Sequence, residues 1–231
     1  MNYPQTVEGI FLERPNRFVA RVRVGEAVET VHVKNTGRCR ELLVPGTRVH
    51  LVPADLPHRK TKFDLVAVEK GPLSLLVNMD SQVPNQVVFE GLSQGLVPGF
   101  SGLRELKKEV AFGDSRYDLY YETAEARGFI EVKGVTLEEG GVARFPDAPT
   151  QRGRKHLCGL AALQSQGYQN HVFFLVQMEG VHRFEPNRST DPRFAEALLA
   201  AAEAGVRIHC HGSLVTPGSI RMGDPLPVVL A

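Results

Sequence analysis

Three charged residues, Asp118, Glu131 and Lys133, have the types and spacing of a metal-dependent site for phosphate chemistry. Glu131 and Lys133 alternate with apolar residues, and the two-residue period of a strand places both side chains on one face. Asp118 lies in the preceding predicted strand, so a hairpin could bring it beside Glu131. Two close carboxylates suit Mg²⁺, and a neighbouring lysine could orient or deprotonate a water that attacks phosphorus. The same spacing also fits a solvated strand face with a cross-strand ion pair.

A second acid–X–Lys triplet, Glu105-Leu106-Lys107, shows that the triplet alone carries little information. It lacks an aspartate at hairpin distance upstream, since the nearest is Asp80. The triplet at 131–133 has both an upstream aspartate and a basic helix downstream. This context favours 131–133 as the functional one.

Basic residues at the start of a predicted helix form the second candidate element. The helix begins after Thr150, and Arg152, Lys155 and His156 follow at helical spacing, so they share a face near amides that attract anions. A phosphate could be held there, although a solvated helix face is the alternative. Glu90, on an earlier predicted helix, is either a third carboxylate for the cation or a surface residue.

A basic loop, His58-Arg59-Lys60-Thr61-Lys62, lies in the N-terminal third together with Arg38 and Arg40. Such loops on small barrels bind oligonucleotides, but they also serve solubility alone. The chain has no Trp, 5 Tyr and 12 Phe, which is a thin supply of stacking residues. The net charge of +1 excludes a global positive field, so phosphate binding must come from local patches.

The cysteines and the His209-Cys210-His211 run predict neither disulfides nor zinc. Cys39, Cys158 and Cys210 are too few and too scattered for a disulfide framework, which predicts reduced and mostly buried thiols. Alternate strand residues place only His209 and His211 on one face, with no further ligand at a known spacing. The N-terminal residues lack a signal-peptide pattern and the longest apolar run, near 172–176, is far too short to span a membrane. We therefore expect a soluble, cytoplasmic protein.

Hydrophobic periodicity predicts an α/β (α+β overall) protein of two domains, 1–82 and 83–231. Five short strands in the first domain suggest an OB-like barrel that binds nucleic acid; they lie at 18–24, 31–33, 49–52, 63–68 and 73–77. The second domain is predicted to begin with a helix over 86–92, capped by Asn85. Strands follow at 103–112, 115–122, 128–137, 171–178 and 206–210, with helices at 150–166 and from Asp191-Pro192 to Gly205.

Long strings of residues resemble the sugar fermentation stimulation protein A family over nearly the whole chain. They are Arg14-Pro15-Asn16-Arg17-Phe18, Asn35-Thr36-Gly37-Arg38-Cys39, Glu109 with Ser115-Arg116-Tyr117-Asp118, the stretch 131–137, and the stretch 145–157. The resemblance implies an OB-like barrel followed by a PD-(D/E)xK nuclease-like domain, similar to restriction endonucleases with a mixed central sheet. It also implies DNA binding and a regulatory role in sugar (maltose) metabolism.

Carried onto this chain, the nuclease pattern assigns catalytic roles to four residues. The resemblance places the helix carboxylate at Glu90, the strand aspartate at Asp118, and the signature acid and lysine at Glu131 and Lys133. Glu105 and Glu109 compete with Glu90 for the third carboxylate, and Tyr117 replaces the proline of the superfamily's name. The cation expected on the three carboxylates is Mg²⁺ or Mn²⁺.

Two hypotheses follow. The first is a DNA-binding protein with a metal-dependent phosphodiesterase site, and the second is a regulator that binds DNA without cutting it. RNA as a substrate and a homodimer as the assembly are left open, and no membrane partner is expected. The residues expected to contact nucleic acid are Arg38, Arg59, Lys60, Lys62, Arg152 and Lys155.

Overall fold

The computed structural model describes residues 1–35, 37–54, 59–71 and 75–230. Three positions used in the sequence analysis, Thr36, His58 and Leu73, lie outside these residues. Within the part described, no helix combines the length and the apolar character needed to cross a bilayer.

The N-terminal part is an OB-like barrel, as predicted. Its strands are β1 (Val7–Asn16), β2 (Val19–Val24), β3 (Ala27–Val33), β4 (Arg48–Pro53), β5 (Phe63–Lys70) and β6 (Leu75–Asn78). They run in the order β3-β2-β1-β4-β5-β6, and parallel pairing of β3 with β5 closes the barrel. In β2 the period of two is clear, because Ala20 and Val22 are fully buried while Arg21 is exposed.

The barrel wall differs from the prediction in one strand. The sequence predicted β2 to β6 and missed β1, whereas the closed wall consists of β1 to β5 and β6 is an added edge strand. The pairing of β1 with β2 shifts register twice, between Phe11 and Glu13 and between Glu13 and Asn16. Such bulges interrupt the alternation of buried and exposed residues that identifies a strand in a sequence.

The C-terminal part is a mixed six-stranded sheet with helices on both faces. Its elements are α1 (Val83–Ser93), β7 (Glu105–Phe112), β8 (Ser115–Glu122), β9 (Arg127–Val135), β10 (Leu137–Glu139), β11 (Val142–Phe145), α2 (Gln151–Gln164), β12 (His171–Val176), β13 (Arg183–Pro186), α3 (Pro192–Glu203), β14 (Arg207–Thr216) and β15 (Ser219–Pro225). The order is β15-β14-β12-β9-β8-β7, with β9, β12 and β14 parallel. A small sheet, β10-β11-β13, extends from it.

Alternate residues of β12 divide the core between the two faces. Phe173 and Leu175 pack in one cluster with α1, while Val172 and Phe174 pack in another with α2 and α3. This burial on both faces explains the uninterrupted apolar run of β12, which is typical of a central parallel strand.

Two of the three predicted helix caps are confirmed. The Thr150 hydroxyl accepts the Gly153 N–H at 3.0 Å, and Asp191 accepts the Phe194 N–H at 3.0 Å. The third is wrong, because α1 begins at Val83 with Gln82 in the cap position, and Asn85 lies inside the helix. Pro84 suits the first helical turn, where its missing N–H has no intrahelical partner.

A buried polar cluster joins the two parts. Asp80 is fully buried and pairs with Lys34 at 2.8 Å, and Gln177 donates to Asn78 Oδ1 at 3.0 Å. The hydrophobic core is also continuous across the junction. The domain limits 1–82 and 83–231 remain a prediction, and residues 1–3 pair with the second part through the bridge between Asn2 and Ser219.

Candidate active site

The candidate site lies where β8 and β9 stop pairing. Their antiparallel ladder ends at Leu119 and Ile130. Beyond this point the Asp118 side chain takes the place of a backbone partner, because its Oδ2 accepts the Val132 N–H of β9 at 2.8 Å. Its Oδ1 accepts a hydrogen bond from the Asn85 Nδ2 of α1 at 2.8 Å. The predicted hairpin is present, and the divergence of its strands places a carboxylate between them.

Glu131 is held from two sides and is 2% exposed. Its Oε1 contacts the Lys133 ammonium, on the same strand face, and the His156 Nδ1, which comes from α2. Its Oε2 is buried and has no hydrogen-bond partner among the described residues. Buried polar atoms in native proteins nearly always have a partner, so this oxygen needs an explanation.

The two carboxyl groups have opposite pKa shifts. Burial, and then the nearby charge of Glu131, raise the pKa of Asp118 above its ordinary value. Burial alone would also raise the pKa of Glu131, but the hydrogen bond from His156 and the charge of Lys133 outweigh it and hold that pKa low. Glu131 is therefore the group that stays ionised, and Asp118 is the group that a nearby cation would keep deprotonated.

The third carboxylate does not join them. Glu90 accepts from the N-terminal ammonium of Met1 at 2.7 Å and from Gln86 at 2.7 Å. Glu105 pairs with Lys107, and Glu109 pairs with Arg116, both on exposed parts of β7 and β8. Within the described ranges, no three His, Cys, Asp or Glu side chains gather as metal ligands.

The basic face predicted on α2 is divided by the fold. Arg152 and Lys155 are exposed, whereas His156 is buried against Glu131. Arg154, which the sequence analysis passed over, pairs with Asp191 at 2.9 Å.

The predicted barrel contacts have different surroundings. Arg38 and Lys60 are exposed. Arg59 pairs with Asp64, and Lys62 pairs with Glu29 at 3.1 Å. Two of the three described basic side chains of this loop are therefore already neutralised.

Sequence reasoning missed two side chains that position the site. Asn85 lies at the predicted start of a helix, where a capping role explained it, and His156 lies among basic residues. Neither position indicates that Asn85 binds Asp118, 33 residues away, or that His156 binds Glu131, 25 residues away. The local sequence around a polar residue at a helix start does not predict which distant carboxylate it will bind.

The histidines of β14, His209 and His211, pack together with His171 of β12. His171 Nδ1 lies 2.9 Å from His209 Nε2, and Phe173 stacks between His209 and His211 with ring centroids 5.6 and 5.1 Å away. Burial and the neighbouring His209 lower the pKa of His171 to about 3. The cluster is packed within the core rather than arranged around a cavity.

The fold and the site define a class: a protein with an OB-like barrel, followed by a restriction-endonuclease-like domain carrying an aspartate, a glutamate and a lysine where two strands diverge. Comparison with known proteins gives the family. Residues 12–79 match the SfsA N-terminal OB domain, and 82–219 match the sugar fermentation stimulation protein RE domain. The chain belongs to the sugar fermentation stimulation protein family.

Relatives resemble the chain over its whole length. A sugar fermentation stimulation protein homolog of Desulfitobacterium hafniense (strain Y51) is 50% identical over 100% of this chain and 99% of its own. One from Alkaliphilus oremlandii is 47% identical over 99% of this chain and 98% of its own. The solved structure of Pyrococcus furiosus SfsA in complex with Ca²⁺ is 32% identical, with a TM-score of 0.90 over 99% of this chain and 98% of that one.

Proposed function

We propose that this protein binds DNA and that its C-terminal domain has a metal-dependent phosphodiesterase site. One observation carries the proposal: the buried Oε2 of Glu131 has no partner among the described residues, beside a second carboxylate and a lysine. A divalent cation is the partner that such an oxygen suits. The proposal includes a cytoplasmic location, in keeping with three free cysteines.

Asp118 and Glu131 would hold the cation, Mg²⁺ or Mn²⁺. When bound, such an ion supplies Lewis-acid polarisation of a phosphoryl oxygen and neutralises charge that develops on it. The relative from Pyrococcus furiosus was solved in complex with Ca²⁺, another hard cation that takes oxygen ligands. Glu90 is left out of this ligand set because it binds the N-terminal ammonium.

The protein's own side chains would position the reactants. Lys133 keeps 17% of its side chain exposed while donating to Glu131, so it would reach a solvent water and could orient it. Asn85 and His156 fix the two carboxylates from opposite sides of the sheet. Arg152 and Lys155, exposed in the first turns of α2, would hold phosphate.

Cleavage of labelled DNA tests the catalytic part. Purified protein is incubated with single- and double-stranded DNA in Mn²⁺ or Mg²⁺, and Lys133→Ala is compared with Lys107→Ala, the lysine of the exposed triplet. We expect Lys133→Ala to slow cleavage by roughly 10²-fold or more, and Lys107→Ala to leave it unchanged. Equal cleavage by all three proteins would refute the site.

Metal binding provides a readout that does not depend on activity. Calorimetric titration with Mn²⁺ compares wild type with Asp118→Asn, Glu131→Gln and the surface control Glu105→Gln. We expect affinity to fall in the first two variants and to stay the same in the control. Binding that survives both site substitutions would place the ion elsewhere.

A second candidate function is a regulator of sugar (maltose) metabolism genes that binds DNA without cutting it. It is favoured by the occupied Oε1 of Glu131 and by the placement of Glu90 away from the site. It predicts DNA binding that persists in EDTA and no cleavage in Mn²⁺. The catalytic proposal predicts cleavage that EDTA abolishes, and the same assays on RNA decide the nucleic acid.

A further inference from the structure

A groove on the barrel is lined by arginines. Arg14, Arg17, Arg38 and Arg40 border a cavity of 320 Å³ beside Leu43. Arg14 is structural, because its guanidinium donates to four backbone carbonyls at 2.6–2.9 Å, those of Arg17, Asn35, Gly37 and Arg38. These bonds tie the β1–β2 turn to the segment after β3, and so hold the walls of the groove together.

The other three arginines have no carboxylate partner among the described residues. Arg17, Arg38 and Arg40 are exposed, and none pairs with a carboxylate of the described residues. Arg59 and Lys62, elsewhere on the barrel, both have acidic partners. Elsewhere on the described barrel only Arg23 and Lys60 are also exposed without a carboxylate partner, so three of the unpaired charges lie together at this groove, where they attract anions.

An exposed aromatic ring lies beside Arg17, one of the groove arginines. Phe18 is 47% exposed, and the Arg17 guanidinium lies 4.6 Å from its ring centroid. A phenylalanine beside free arginines is the pair of features that proteins use to bind single strands: bases stack on the ring and phosphates bind the guanidinium groups.

Shared lining residues connect the groove with Asn85, the partner of Asp118. Gly37 lines both the groove and an interdomain cleft of 320 Å³, and Ser81 lines both that cleft and a hollow of 730 Å³ between α1 and β7–β8. Asn85, which donates to Asp118, lines the hollow. Gly37 packs closely against Asp147, since a Cβ at this position would come within 2.6 Å of Asp147 Oδ2.

We propose that the arginine groove binds single-stranded nucleic acid and directs the strand along the cleft to Asp118. Phosphates would contact Arg17, Arg38 and Arg40, and an unstacked base would lie on Phe18. Stacking on Phe18 needs an unpaired base, which favours a single strand over a duplex. The inference rests on the proposed function in taking nucleic acid as the ligand, and it deepens that function by naming the strand form and its path.

Binding in EDTA tests the groove without cleavage. Fluorescence anisotropy with a labelled 20-mer of thymidine is measured at several salt concentrations for wild type, Arg38→Ala/Arg40→Ala and the control Arg21→Ala/Arg23→Ala, which removes two exposed arginines of β2. We expect the groove variant to bind at least tenfold more weakly and to lose about 1.4 from the salt slope, since each single-strand phosphate contact contributes about 0.7. The control is expected to bind like wild type.

Phe18→Ala is compared in the same assay with Val28→Ala, which removes another exposed apolar side chain of the barrel. We expect roughly tenfold weaker binding for Phe18→Ala alone, because one stacked base is lost. A duplex of the same length should bind wild type more weakly than the single strand. Equal effects of the groove and control variants, or tighter binding of the duplex, would overturn the inference.

The two proposals fail in different ways. If wild type cuts DNA and the groove variant binds and cuts equally well, the groove is refuted and the active site stands. If wild type binds single strands through the groove but never cuts in Mn²⁺, the catalytic site is refuted and the groove stands. If wild type binds no nucleic acid at all, both are refuted.

Discussion

His171 should control the stability of this protein in mild acid. The side chain is 2% exposed, and its Nε2 lies 3.0 Å from the Tyr121 hydroxyl while its Nδ1 faces His209. Burial, followed by the charges of His209 and Arg207, lowers the pKa of His171 from 6.5 to about 3. Burial also lowers the pKa of His209, to about 4.

The sign of the effect follows from proton uptake. Below pH 6.5 the unfolded chain binds a proton at His171, while the folded protein binds it only near pH 3. The stabilising contribution is therefore complete above pH 6.5 and is lost as the pH falls toward 3. Between pH 7.5 and 5.0 the loss is about 2 kcal/mol for His171, and His209 adds about as much. A loss of about 4 kcal/mol is large beside a typical stability of about 5–15 kcal/mol.

Urea unfolding at pH 7.5, 6.0 and 5.0 measures this loss. We compare wild type with His171→Asn and with His182→Asn, which replaces an exposed histidine. Wild type and the His182 variant should each lose about 4 kcal/mol between pH 7.5 and 5.0, and the His171 variant about 2 kcal/mol or less. The comparison uses the difference between pH values, so a lower absolute stability of the variant does not affect it. If the His171 variant loses as much as wild type, the reasoning is refuted.

Three further substitutions and one control test a helix cap, a close backbone contact and a buried ion pair. Thr150→Ala should lower the free energy of unfolding by about 1 kcal/mol, because α2 loses its capping oxygen; an unchanged urea midpoint would contradict this. Gly128→Ala should lower the free energy of unfolding by at least about 3 kcal/mol, because the new Cβ would overlap the backbone carbonyl oxygen of Gln169. The control Gly218→Ala has open space around it and should leave the melting temperature unchanged. Asp80→Ala should cost about 3–5 kcal/mol in urea unfolding because it breaks a buried ion pair with Lys34; a loss below 1 kcal/mol would show that the junction does not depend on it.

Elements with a strong local pattern could be predicted from the sequence. The alternation in β2, the apolar run of β12 and the caps at Thr150 and Asp191 are set by residues within a few positions of each other. The barrel, the mixed sheet and the hairpin of β8 and β9 follow from such patterns and from the family resemblance. The strand β1 was not predicted because its bulges interrupt the two-residue alternation of buried and exposed side chains.

The candidate site was predictable in its charged residues but not in their partners. Spacing placed Glu131 and Lys133 on one face, and the ion pair between them agrees. Spacing could not indicate that His156 turns inward, or that Glu90 binds the chain's own N-terminus 89 residues away. Those contacts depend on how α1 and α2 pack against opposite faces of the sheet.

The sequence by itself determined the strands with a regular period, the helix caps at Thr150 and Asp191 and the triplet at 131–133, because periodicity and capping act over one or two turns of chain. The tertiary structure decided which charges remain free. It paired Lys62 with Glu29, 33 residues away, left Arg17, Arg38 and Arg40 unpaired among the described carboxylates, and buried Glu131 with one oxygen that no described residue satisfies. A charge is compensated by whatever lies within a few ångströms of it, and that distance is set by packing rather than by separation along the chain.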